Sequence, residues 1–115
     1  MSNKIYNLEE RTAQFGEAIL DFSNFIPDTI ANRILKSQLI RSGTSIGANY
    51  MEADSASTKR DFMHKIAICK KEAKETKHWL RMVMKQNQKC KEKATLLSNE
   101  AQELVLIFSA IINSS

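Results

Sequence analysis

Glycine occurs three times and proline once in 115 residues, too rarely for the many turns of a sandwich, a barrel or a doubly wound sheet. Four long helices need only three connections, so the shortage points to an all-α chain. Only two cysteines are present, Cys69 and Cys90, and residues 1–6 offer neither an apolar stretch nor a small-residue cleavage site. The expected setting is therefore cytoplasmic, with reduced thiols. No apolar run approaches the roughly 20 residues that span a bilayer; the longest, residues 104–112, is interrupted by Ser109. No membrane span is expected. A mass of 13.1 kDa leaves room for one domain, 1–115, and excludes a multi-domain enzyme. With 43% hydrophobic and 26% charged residues, the composition is that of a chain that folds.

What is present is an uneven charge. The net charge is +4, but residues 59–93 hold 12 basic and 4 acidic side chains and the remainder 5 basic and 9 acidic. A cationic third of a chain calls for an anionic partner, nucleic acid first and a membrane surface second.

Four helices are expected, over about residues 8–26, 29–56, 59–86 and 92–112. Asn7 followed by Glu10 reads as a capping-box start. Leu8, Thr12, Phe15, Ile19, Phe22 and Ile26 then recur at alternating steps of 4 and 3, one stripe of a helix. Pro27 stops this helix and Asp28 is expected to cap the next. In the second, Leu35, Leu39, Ser42, Ile46, Asn49 and Ala53 keep the rhythm. Gly43 and Gly47 interrupt it at roughly 1 kcal/mol each against alanine, a cost that close backbone approach to a neighbouring helix would offset. A phosphate cradle is rejected there because the Gly-Lys-Ser/Thr end of a P-loop is missing. Thr58 and Asp61 open the third helix, whose stripe is Phe62, Ile66, Cys69, Ala73, Thr76, Leu80 and Val83. The fourth carries Ala94, Leu97, Ala101, Leu104, Phe108 and Ile111, and its apolar second half, with Trp79 and Ile68, favours a second buried face through self-association.

On the third helix the cations segregate. With Phe62 at the origin and 100° per residue, Lys59, Arg60, Lys70, Lys71, Lys74, Lys77, His78, Arg81 and Lys85 all fall between about 60° and 180°. Ile68, Glu72, Glu75, Trp79 and Met82 occupy the other flank. The band reads either as a phosphate-contacting ridge or as a solvated face of snorkelling lysines.

Catalytic and metal chemistry find little support. Glu75-x-x-His78 has the form of a di-iron ligand pair, but it is a single copy on the side away from the core stripe, so no metal and no cofactor are expected. Cys69 reads as a small buried hydrophobe and Cys90 as a loop residue without a Cys-x-x-Cys partner. Gly-x-Ser-x-Gly, His-Glu-x-x-His and Gly-x-Gly-x-x-Gly are absent. The chain reads as a non-enzyme.

The run Gln38-Leu-Ile-Arg41-Ser-Gly-Thr-Ser45-Ile46-Gly-Ala-Asn49-Tyr-Met-Glu52-Ala53 resembles the second-helix motif of the four-helix bundle family of 23S rRNA intervening-sequence proteins, also labelled S23 ribosomal protein. Asp61-Phe62, Lys65-Ile-Ala-Ile and Glu72-Ala73-Lys-Glu75-Thr76-Lys-His-Trp79-Leu80 are similar to its third-helix motif. The resemblance spans residues 38–80 and implies a left-handed, antiparallel up-down-up-down bundle that assembles as a homopentamer around a central channel. A similar basic barrel is the accessory variability protein of retroelements, associated with reverse transcriptase and nucleic acid. The family's Asn-Ile-Ala-Glu-Gly reads Asn49-Tyr-Met-Glu52-Ala53 here, so its glycine stop is missing and the second helix is expected to run on. Arg41, Ser45, Asn49, Glu52, Glu72 and Trp79 are the family-motif residues. They suit either a structural or interface network or a polar cluster turned to a ligand.

Two functions follow. One is a nucleic-acid-binding homo-oligomer that takes RNA or DNA through Lys59, Arg60, Lys70, Lys71, Lys74, Lys77, Arg81 and Lys85, without sequence readout because the band has no aromatic to stack on bases. The other is a structural adaptor whose main ligand is another protein. A membrane-surface role ranks third.

Overall fold

The alternating 4 and 3 spacing translates directly into helices. The computed structural model describes residues 7–114, and among them four α-helices and no strand are found: α1 (Leu8–Ser23), α2 (Ile30–Asp54), α3 (Lys59–Gln86) and α4 (Lys91–Asn113), with one 3-10 turn, Gln88–Cys90, before α4. Each helix packs along the next in sequence, and α1 and α4 meet along a thinner seam that closes the four-helix bundle. The rod measures 44 × 22 × 20 Å.

Two helix starts are capped by threonine. Thr58 Oγ1 accepts from Asp61 N at 3.1 Å, as its spacing predicts, and Thr29 Oγ1 accepts from Asn32 N at 3.1 Å. Asp28 was expected in the second role; its carboxylate instead binds Arg33 Nε at 2.7 Å. Asn7 does not cap through its side chain either. It adopts a left-handed backbone with φ 42, and its carbonyl accepts from Arg11 N at 2.9 Å.

The ends differ from expectation for local reasons. α1 stops at Ser23 rather than 26 because the N–H groups of Asn24, Phe25 and Ile26 fall back on the carbonyls of Asp21, Phe22 and Ser23, tightening the last turn before Pro27. Ile26 stays buried nonetheless. α2 runs through Ala53, where the family motif has glycine, and ends at Asp54 rather than 56, with Ser55 N bonded to Met51 O and Ala56 N to Ala53 O. α4 begins at Lys91.

The stripes form one core. Phe15, Ile19, Phe22, Leu39, Ile46, Ile66, Leu80, Val83, Leu104 and Phe108 are all buried, while Leu35, Phe62, Leu97 and Ile111 pack at its edge. The hydroxyls of Ser42 and Thr76 meet at 2.9 Å inside it, between α2 and α3. Gly43 lies against Ile19 and Gly47 against Thr12, so α1 and α2 approach closely where the sequence places glycine. By length and composition Gln88–Asn113 meets the requirement for a membrane span; in this fold it supplies Ala94, Ala101, Leu104 and Phe108 to the core. Val105 and Ile107 are also buried within the chain, so the apolar surplus in the second half of α4 narrows mainly to Leu106, while Leu96 stands exposed in the first half.

Two polar links lock the bundle. Asn32 Nδ2 donates to Asn87 Oδ1 at 2.8 Å and Asn87 Nδ2 donates back to Asn32 Oδ1 at 2.9 Å, tying the start of α2 to the end of α3. Along the α1–α4 seam, Arg11 forks onto Glu100 at 2.7 and 2.9 Å and reaches Glu103 at 2.8 Å. The Glu100 hydrogen bond raises the guanidinium's pKa, burial offsets part of the rise, and the Glu103 bond adds to it.

Candidate nucleic-acid interface

The band stands on α3, whose apolar stripe faces the core and so fixes which way every other residue of the helix points. Lys59, Arg60, Lys71, Lys74, His78, Arg81 and Lys85 are exposed; Lys70 and Lys77 are half-buried. The Lys77 ammonium donates to Gln102 of α4, which sets the band on the α4 side of the helix. Among the described residues, none of the eight proposed contact cations lies within ion-pair distance of a carboxylate; the ion pairs belong to Arg11, Arg33, Arg41 and Lys65. Lys70, Lys71 and Lys74 line a shallow concavity of about 310 Å³ with Ala67 at its wall.

The other flank of α3 turns to α2 and carries a network. Arg41 reaches across to Glu72 at 3.2 Å and to Glu75, and its Nε donates to Gln38 at 3.1 Å. Trp79 Nε1 donates to the same Glu75 oxygen at 3.1 Å. Glu72 is buried, so its charge needs this partner. The other motif residues do not join: Glu52 pairs with Lys65 at 2.5 Å, Asn49 Nδ2 donates to Ser45 O at 2.9 Å, and Ser45 Oγ donates to Arg41 O at 2.6 Å. Arg41, Glu72 and Trp79 thus form one cluster; Ser45 and Asn49 satisfy their own helix.

Elsewhere, Cys69 is fully buried and its Sγ faces Ile46 O at 3.6 Å; burial pushes its thiol up to about 12. Cys90 is not an open loop residue. It is buried in the 3-10 turn, its Sγ 3.8 Å from Phe25 O. No group of His, Cys, Asp and Glu suited to hold a metal occurs among the described residues.

By helical phase the band ends at Lys85. The fold brings three more exposed cations to its end, because the 3-10 turn and the first turn of α4 carry Lys89, Lys91 and Lys93; Lys93 turns towards the α1–α2 turn, its Nζ 4.5 Å above the ring of Phe25. No helical phase links these lysines to α3, so in the sequence they add only to the charge of residues 59–93.

Fold and site together define a small four-helix bundle with a cationic outer side on one helix and a polar cross-link on its other. The chain belongs to the 23S rRNA-intervening sequence protein family, whose model matches residues 4–110. Its structure is similar to the crystal structure of a protein with unknown function from the S23 ribosomal protein family of Bacteroides thetaiotaomicron, with a TM-score of 0.81 and 30% sequence identity, over 90% of this chain and 96% of that one. No curated protein matches.

Proposed function

We propose that this chain is a non-enzymatic, homo-oligomeric bundle that binds RNA or DNA through the outer side of α3. The observation that carries this reading is the eight cations on one side of that helix, none of them within ion-pair distance of a carboxylate among the described residues. A lysine held this way keeps its counterions until a polyanion displaces them, so affinity falls steeply with salt. Repeating the band around a ring, pentameric as the family resemblance implies, multiplies avidity without a new contact. Phosphate contacts position the ligand and leave its sequence unread.

The test is affinity for RNA and single-stranded DNA at several salt concentrations. A strongly negative slope of log affinity on log salt is expected, and Lys70→Glu, Lys74→Glu and Lys77→Glu together should reduce both affinity and slope. A flat response, or triple-variant binding equal to that of the parent, removes the idea.

A second reading, an adaptor for another protein, draws on exposed Ile30, Ile34, Met51 and Leu106, more apolar surface than isolated side chains require. A partner recovered by pull-down after nuclease treatment, with the salt response flat, favours it.

A further inference from the structure

The lysine side of α3 has no Phe, Tyr or Trp, but the fold brings one to its end. Phe25 lies in the turn between α1 and α2, and its carbonyl is held against Cys90 of the 3-10 turn at 3.8 Å. This places its ring at the start of α4, beside the cations that follow the band. The ring remains 59% exposed although Lys93 Nζ sits 4.5 Å over its face. Ala18, Phe22 and Leu97 wall a cleft of about 250 Å³ beside it, open at Leu96, with Asp21 at its edge. Leu96 also borders a second concavity, which Lys89 and Lys91 line. An apolar slot with an exposed aromatic face, one lysine over it and two more lysines beside Glu92 in the neighbouring concavity, has the parts that single-stranded nucleic-acid sites combine: a surface on which a base stacks and charges that hold its flanking phosphates.

We propose that Phe25 and the cleft beside it take one unpaired base, with Lys89, Lys91 and Lys93 on the adjoining phosphates. The ligand class is single-stranded RNA or DNA. This rests on the nucleic-acid reading above and adds to it that the protein distinguishes an unpaired strand from a duplex of equal charge. When a base stacks on the ring, the Lys93 ammonium leaves the ring face and turns to the phosphate of that nucleotide. Asp21 at the edge is a hydrogen-bond acceptor suited to an exocyclic amine.

The experiment compares a single-stranded oligonucleotide with an abasic phosphodiester strand of the same length and charge, at one salt concentration. The unmodified protein should bind the base-containing strand about tenfold more tightly, the worth of one base on an aromatic ring. Phe25→Ala should erase that preference while keeping the affinity for the abasic strand and the salt slope. Phe25→Tyr should retain the preference, which separates loss of the ring from loss of the fold. Equal binding of the two strands by the unmodified protein overturns the stacking site and leaves the cationic band intact. Failure to bind either strand overturns both.

Discussion

A buried amide must find its partners inside the protein, and Asn32, 1% exposed, finds them in Asn87 and in the carbonyl of Pro27. Removing one amide strands the other, so Asn32→Ala should cost about 1–3 kcal/mol by urea denaturation at fixed protomer concentration. The pair variant with Asn87→Ala should cost less than the sum of the singles. Cys69 makes a different demand. Burial between α2 and α3 pushes its thiol from 9.0 to about 12, so above pH 9 the unfolded chain releases a proton that the folded chain keeps. Its share of stability is whole below about pH 9 and is lost as the pH rises towards 12, at up to about 1.4 kcal/mol per pH unit. Thermal melts at about pH 8 and pH 10.5 should show a larger loss for the parent than for Cys69→Ala; an equal loss means that Cys69 ionises alike in both states.

At the scale of the helix, the glycines separate two effects that composition alone merges. A Cβ on Gly43 would stand 2.9 Å from Ile19 Cγ1 and 3.2 Å from its Cβ, and Ile19 is wholly buried with no room to yield. A Cβ on Gly16 would meet Thr44 Cα at 3.6 Å, an ordinary contact. Alanine brings a helical gain of about 0.8–1 kcal/mol at either place, so Gly16→Ala should stabilise by nearly that amount. Gly43→Ala should destabilise, because overpacking a closed site costs about 1–3 kcal/mol. Thermal denaturation of the two variants should move in opposite directions. The close approach of α1 and α2 at Gly43 was legible in the sequence because two poor helix formers four residues apart demand a reason. The helix stripes were legible too, since the period of a buried face is a local property. The Asn32–Asn87 pair and the Arg11 fork were not, because each joins residues far apart in sequence whose types are equally at home on a surface. The Phe25–Lys93 contact was hidden for the same reason: neither residue belongs to the phase of α3, and only the chain reversals at 24–29 and 87–90 bring them together.

For the whole molecule, the distribution of exposed apolar side chains bears on how copies meet. Ile30, Ile34, Ala48 and Met51 share one face of α2 at steps of 4, 14 and 3, and Ala48 and Met51 join Ala13, Gly16 and Leu20 in a groove of about 370 Å³ between α1 and α2. Leu106, 59% exposed, stands on α4, which packs on α3 and α1. The two apolar surfaces therefore lie on different sides of the rod. An assembly that covers both joins unlike faces, the head-to-tail contact that closes into a ring. In the proposed homo-oligomer, light scattering should return a multiple of 13.1 kDa, and Met51→Asp or Leu106→Asp should each reduce it to a single chain, since a charge buried without a partner costs several kcal/mol. Each variant keeps one sound face, so mixing the two should yield a species of two chains and no larger. A face that paired with its own copy would leave one variant assembled with itself, and a parent that scatters as a single chain would remove the ring and the avidity that the nucleic-acid reading draws from it.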